Sequence, residues 1–432
     1  RWWRPEEIEV QRGRNQSAFL ESYLAVFDAA VAAHLPATGD VGAMMSGGLD
    51  STAVVASAAA ALRGTGRRVT SYVSAPVPGF VGPATRDLDH DETAIAHSLA
   101  ASIGGVDIEP VRNERHVLDI DFADDQAERT WLPYRNPANL VWMREIMHRA
   151  YESRLPAVLT GQTGNATFSS DRPDVLAELF VSGRLGTVID GFRSRSRATG
   201  VPVATLLRST LVRPFVPEGV LAVYRGLRNR RTVGSMAIYL DSVPFAKGAV
   251  ERFGDEAVLR AMRNGGGLHD SRRFGWLAWM RMSPGLDAAF TPAGYWGVVY
   301  ADPLGTRALV DAVAALPPEA WLIEGRTRAV ARAAMKGRVP DPIRLRVRRG
   351  TQAPDWFLWA RNRLPDYLRA VEDIGQSALV SEIIDVPLLR DRVSKWPLEQ
   401  AAQRPPITDH STTRAIGVGL FVRWWERRNA VV

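Results

Sequence analysis

The residues best suited to chemistry cluster in "MMSGGLDSTAVVASAAA", Met44 to Ala60. Two hydroxyls (Ser46, Ser51), two glycines (Gly47, Gly48) and one carboxylate (Asp50) stand between an apolar run and an alanine-rich stretch. A strand that ends in a glycine loop and opens a helix aims free N–H groups and the positive helix end at one point. Anions bind there. Gly47 and Gly48 let the backbone approach a phosphate that a Cβ would obstruct. Ser46 and Ser51 add hydroxyl donors, and Ser51 is also placed to cap the helix. A phosphate repels Asp50 unless a cation lies between them, so this carboxylate implies Mg2+. No lysine follows the glycines, which separates the loop from the Walker type. A plain strand-to-helix turn with a serine cap is the bland alternative, and the whole hexapeptide in this context favours the phosphate reading.

The elements that must position this loop are legible around it. Residues 41–45 read as a strand, 51–63 as a helix, 68–75 as a strand, 91–104 as a helix and 106–111 as a strand. A helix over 139–153 and a strand over 156–161 follow. Strands alternating with helices argue an α/β fold, a doubly wound parallel sheet over 37–174. Residues 1–36 read as an N-terminal linker and helix. Beyond 174 helical patterns dominate, among them 175–195, 245–263, 306–317, 326–337 and 355–372, and residues 175–432 read as a mostly helical region completing the domain.

Composition narrows the function. At 432 residues the chain exceeds the usual size of one hydrophobic core. Its longest apolar stretches are about half of the roughly 20 residues a membrane span needs, and no secretory segment opens the chain, so a cytoplasmic enzyme is expected. Because residue 1 is Arg1 rather than Met, an upstream segment is also expected. The net charge is +7, and only Lys247, Lys336 and Lys395 are lysines. Such a balance suits polyanions, nucleotide phosphates included. The arginines are spread over the whole chain without any nucleic-acid-binding motif, which argues against nucleic acid as the partner. Cysteine is absent, which removes disulfides, thiolate metal sites and a thiol nucleophile. The seven histidines form no metal-ligand spacing.

The hexapeptide SGGLDS resembles the pyrophosphate-loop motif of the N-type ATP pyrophosphatases, whose fold is adenine nucleotide alpha hydrolase-like. The resemblance implies that Ser46, Gly47, Gly48, Asp50 and Ser51 clasp the β,γ-pyrophosphate of ATP while a substrate oxygen attacks the α-phosphorus. Further on, "VLTGQTGNATFSSD" (158–171) resembles the second signature of the asparagine synthetase branch, a strand ending in Gly-Glu-Gly-x-Asp-Glu. Gly161 and Gly164 match, Gln162 replaces the glutamate and Asn165 the aspartate. "YRNPANLVWM" (134–143), "RRGTQAPDW" (348–356) and "FVRWWERRN" (421–429) resemble asparagine synthetase-like proteins that include the lasso-peptide macrolactam synthetases. "RWWRPEE" resembles the junction after their glutaminase domain.

That resemblance implies an ATP-dependent ligase with Mg2+: a carboxylate is adenylated, and an amine displaces AMP to make an amide. It implies Asp50 as the leading Mg2+ ligand and Asn165 as a weaker, neutral one. Met44, Met45, Ser74 and Gly161 are placed at the nucleotide, and Gln162 stands at the reacting centre. A basic residue late in the chain normally contacts the phosphates, for which Arg348 and Arg349, with Lys336 behind them, are the candidates. Asp91 and Glu92 match an acidic pair of the family, although a helix-start role explains them. In "GVVYADP" (297–303), Val299 and Ala301 stand where Glu and Arg are expected. No residue is thereby assigned as general base. The nine tryptophans from Trp276 onward are expected in the core, with a peptide-binding cleft as the alternative.

The relatives take ammonia from glutamine with an amino-terminal cysteine that this chain lacks. The amine then comes either from another domain's glutaminase or from the substrate itself, as in macrolactam formation. The substrate is expected to be a peptide or small carboxylate, with a precursor peptide and leader-processing proteins as partners. The alternatives are a glutamine-hydrolysing asparagine synthase with its glutaminase elsewhere, a degenerate ATP-binding member, and a tRNA-modifying ligase.

Overall fold

Short, continuously apolar runs buried on both faces are what a central parallel sheet demands, and "VGAM" meets that demand. In the computed structural model, which describes residues 7–11, 15–82, 88–134, 137–172, 175–212, 242–254, 296–396 and 406–430, it forms β1 (Val41–Met44), buried throughout. The other strands in chain order are β2 (Val69–Ser74), β3 (Leu88–Asp89), β4 (Val106–Val111), β5 (Ala157–Leu159), β6 (Val299–Ala301) and β7 (Arg349–Gly350). Five of them make a parallel sheet in the order β4-β2-β1-β5-β6, while β3 and β7 pair separately, also in parallel. Register across the centre is Val41 with Val69 and Gly42 with Val158.

The chain moves outward from β1 through β2 to β4, then returns to β5 and β6 on the other side of β1. Strand order therefore reverses between β1 and β5. Open α/β sheets bind their ligands at this switch point, beyond the carboxyl ends of the strands. The loops after β1 and β5 are the two stretches picked out by sequence.

Helices cover the sheet. On one face Val41, Ala43, Val69, Val73 and Leu159 pack with α1 (Gln16–Ala33), α2 (Leu49–Leu62) and α3 (Thr93–Ile103). The small side chains of α2, mostly alanine, favour the helix and let it lie close to the strands. Gly104 ends α3 at φ 74°, a backbone region open to glycine. After α4 (Ala123–Thr130), α5 (Pro137–Glu152) lays Ile146, Met147 and Ala150 over the opposite face, against Met44, Tyr72, Val158 and Tyr300. A separate core joins Leu118 and Val141 to the C-terminal helices through Trp359, Tyr367, Ile374, Trp396 and Ile416.

Three features depart from expectation. The fifth strand, β6, comes from beyond residue 174, so the sheet is not confined to 37–174. α1 is part of the main core: Phe27 and Val31 are fully buried. The run over 355–372 is two helices, Trp356–Asn362 and Leu364–Ile374, because Pro365 has no N–H to continue the first and suits the first turn of the second. The stretch 245–263 is described as far as Gly254, with a helix at Ala249–Phe253, and its remainder lies outside the described residues, as does "RWWRPE". Among the described residues no helix is long and apolar enough to cross a membrane.

Candidate active site

α2 begins at Leu49, with Gly48 as its N-cap and no side chain capping it. Ser51 therefore lies inside the first turn, which corrects its expected capping role. Its hydroxyl instead ties the loop together, accepting from Ser46 N at 3.1 Å and meeting Ser46 Oγ at 3.0 Å. Ser46 Oγ in turn accepts from Gly48 N at 3.1 Å. The two serines thus hold the curvature of the loop. The N–H groups of Gly47 and Leu49 have no acceptor among the described residues. Bare N–H groups at the positive end of a 14-residue helix form an anion cradle.

The loop after β5 closes over this cradle. Thr160 N donates to Ala301 O at 2.8 Å, Thr163 N to Asp302 Oδ2 at 2.9 Å, and Thr167 Oγ1 to Leu304 O at 2.8 Å, so β6 and its loop carry it from behind. From α1, Tyr23 OH donates to Phe168 O at 2.6 Å. Both glycines are needed for close approach. A Cβ on Gly161 would lie 2.8 Å from Ser51 N, and one on Gly164 would overlap the Asp50 carboxylate.

Asp50 and Asn165, the expected metal ligands, are brought to one place, and a guanidinium is there with them. Arg328 Nη2 donates to Asn165 Oδ1 at 2.6 Å, and its Nη1 stands 3.6 Å from Asp50 Oδ2. Burial raises the Asp50 pKa, opposed by the nearby Ser169 hydroxyl and by Arg328. Asp50 Oδ1 has no hydrogen-bond partner among the described residues. One open carboxylate oxygen beside a cation does not hold Mg2+ by itself; the ion takes one or two carboxylates together with waters and substrate phosphates. Among the described residues no cluster of three acidic or histidine side chains supplies more.

A second arginine meets the loop itself. Arg346, its side chain 9% exposed, donates from Nη1 to Gly47 O at 2.7 Å and to Glu92 Oε1 at 2.6 Å, and from Nη2 to Asp89. Gly47 is thus required on its outer side too, since a Cβ would overlap this guanidinium. Glu92 is buried and caps nothing; the helix-start role belongs to Asp91, whose Oδ1 accepts from Thr93 N at 2.8 Å. The pairing of β3 with β7, Leu88 opposite Arg349 and Asp89 opposite Gly350, brings the segment carrying Arg346 beside Asp89 and Glu92.

The remaining candidates are placed as follows. Arg348 is exposed and donates to Asp89 Oδ1 at 2.8 Å, behind Arg346; Arg349 is exposed on β7. Lys336 is exposed past the helix Ala329–Ala334, near Asp341. Gln162 is exposed in the crevice and accepts from Tyr300 OH at 2.5 Å. Burial pushes the Tyr300 hydroxyl well up, so it stays protonated and acts as a donor. Ser74, ending β2, keeps some exposure, whereas Met44 and Met45 are buried on opposite faces of the sheet and serve packing. Of the tryptophans expected in the core, Trp321, Trp359, Trp396 and Trp424 are buried and Trp356 is half-buried, but Trp296 and Trp425 are exposed; Trp276 and Trp279 lie outside the described residues. Arg346, Arg328 and Tyr300 escaped sequence reasoning. Only the cluster of basic residues around 344–349 signalled the first, and nothing local signalled the others.

A parallel α/β sheet whose reversal point carries an anion-cradling loop at a helix start defines a nucleotide-binding protein. The asparagine synthase family model matches residues 22–411, and the chain belongs to that family of ATP-dependent ligases, for which Mg2+ is typical. No curated protein matches it.

Proposed function

We propose that this chain forms an amide bond by adenylating a carboxylate and passing the acyl group to an amine. The carrying observation is the Ser46–Ser51 cradle at the switch point of a chain in the asparagine synthase family. A carboxylate oxygen attacks the α-phosphorus of ATP, the bond to the β-phosphate oxygen breaks, and pyrophosphate leaves. An amine nitrogen then attacks the acyl carbon, AMP departs, and the nitrogen gives up a proton. The residues contribute position and charge stabilisation: the Gly47 and Leu49 N–H groups and Ser46 hold the leaving pyrophosphate. Gln162, fixed through its Oε1 by Tyr300, presents its amide N–H groups to the acyl oxygen. An α-amine near its own pKa of about 8 needs little help to lose its proton.

The finer reading is that the amine belongs to the same peptide, giving a macrolactam of the lasso-peptide kind, in the cytoplasm, with a precursor peptide and its processing proteins as partners. Its support is the GQTGN loop and the resembling segments at 134–143 and 348–356. The covered faces of the sheet suit the doubly wound arrangement of pyrophosphate-loop enzymes. Incubating the chain with ATP, Mg2+ and candidate acceptors should yield AMP and pyrophosphate by phosphorus NMR. ADP as the product sinks the proposal.

A further inference from the structure

We infer that Arg328 is the resident cation of the pyrophosphate subsite, so that the loop takes up a diphosphate without metal and a divalent ion enters only on the nucleotide. The inference rests on the pyrophosphate reading of Ser46–Ser51.

The first support is charge. Asp50 is buried and carries one negative charge, and Asn165 is a neutral amide where the resembling enzymes carry aspartate. One guanidinium balances one carboxylate, and Arg328 reaches both residues, Asn165 Oδ1 at 2.6 Å and Asp50 Oδ2 at 3.6 Å. The other nearby acid, Asp302, has its oxygens engaged by Thr163 N at 2.9 Å, the Thr163 hydroxyl and Leu304 N at 3.2 Å, and its negative charge, by raising the Asp50 pKa, adds to the demand for a cation here. A dication would meet one open carboxylate oxygen and be repelled by the guanidinium.

The second support is that the backbone is built to put Arg328 there. It precedes the helix Ala329–Ala334 at φ 54°, a region that L residues with a Cβ avoid. Its N–H is held by the Asp171 carboxylate at the end of the same loop that carries Asn165. Beneath it, Arg332 is fixed by Thr327 O at 2.9 Å and Arg346 O at 2.9 Å, so the segment joins Arg328 to the Arg346 anchor on the other side of the cradle. A diphosphate bound at the Gly47 and Leu49 N–H groups finds a planar guanidinium beside it, a geometry suited to bidentate phosphate contact.

The test is calorimetric titration of the full chain with inorganic pyrophosphate, once in EDTA and once in Mg2+. Binding in EDTA within about threefold of that in Mg2+ is expected. Arg328→Gln should weaken metal-free binding by roughly tenfold or more, the worth of a charge-assisted hydrogen bond. Arg328→Lys should lose less, and Asn165→Asp should make binding depend on Mg2+. Circular dichroism of each variant checks folding, and the wild-type comparison needs no variant. Binding only with Mg2+, or an Arg328→Gln protein equal to wild type in EDTA, overturns the inference while leaving the loop assignment standing. Binding under neither condition removes both.

Discussion

Replacing Asp119 by asparagine should abolish a pH dependence of stability that burial creates. This carboxyl is 2% exposed, in the core joining the sheet layer to the C-terminal helices. Burial raises its pKa to about 6, against the hydroxyls of Tyr367 and Tyr134 that favour the charge. Tyr367 OH donates to Oδ1 at 2.5 Å. In the unfolded chain the group loses its proton near pH 4. Between there and about 6 the native state binds more protons than the unfolded one, so stability falls as pH rises. The gap of about two pH units corresponds to about 3 kcal/mol. Asparagine accepts from Tyr367 as well as a protonated carboxyl does, and it does not titrate. Urea unfolding followed by circular dichroism at pH 4, 5, 6 and 7 should show the variant gaining on wild type by about 3 kcal/mol across that range. A difference that stays constant with pH refutes the reasoning, because burial would then not govern this charge.

Other outcomes follow from the site. Gly47→Ala sets a Cβ into the Arg346 guanidinium and should weaken ATP binding by roughly tenfold or more in calorimetry, the loop having to shift. Arg346→Met leaves Glu92 buried without its cation and should destabilise by about 3 kcal/mol in urea unfolding. Tyr300→Phe releases Gln162 and should lower turnover, read as AMP release, with the ATP dissociation constant unchanged. Asp50→Ala should abolish AMP release while circular dichroism shows the protein still folded.

What could be read from the chain alone was the part made by neighbours in sequence. "VGAM", "VTSYVS" and "VDIEPV" are apolar or β-branched enough to read as strands, and their ends fall within one residue or so of the observed ones. SGGLDS was legible because its chemistry is local to one turn. β6 was missed because three residues, Val299 to Ala301, show no period. Arg346 was passed over for Arg348 and Arg349 because identical side chains two positions apart differ only in what they meet. Here Asp89 and Glu92, more than 250 positions away, decide it. Glu92 looked like a helix-start residue for the same reason. Arg328 was out of reach because its left-handed backbone is imposed by tertiary contacts, not by any residue type that advertises it.

The clasp of Arg346 on Gly47 joins positions 299 apart in sequence. During synthesis the glycine turn and the first four strands of the large sheet leave the ribosome long before their guanidinium, and β6 also arrives late. A nascent chain therefore exposes its cradle half-built, with Glu92 still seeking its counterion, until translation passes residue 350. Contacts of such sequence separation form slowly, and competence to hold a nucleotide becomes a late event in the birth of the molecule.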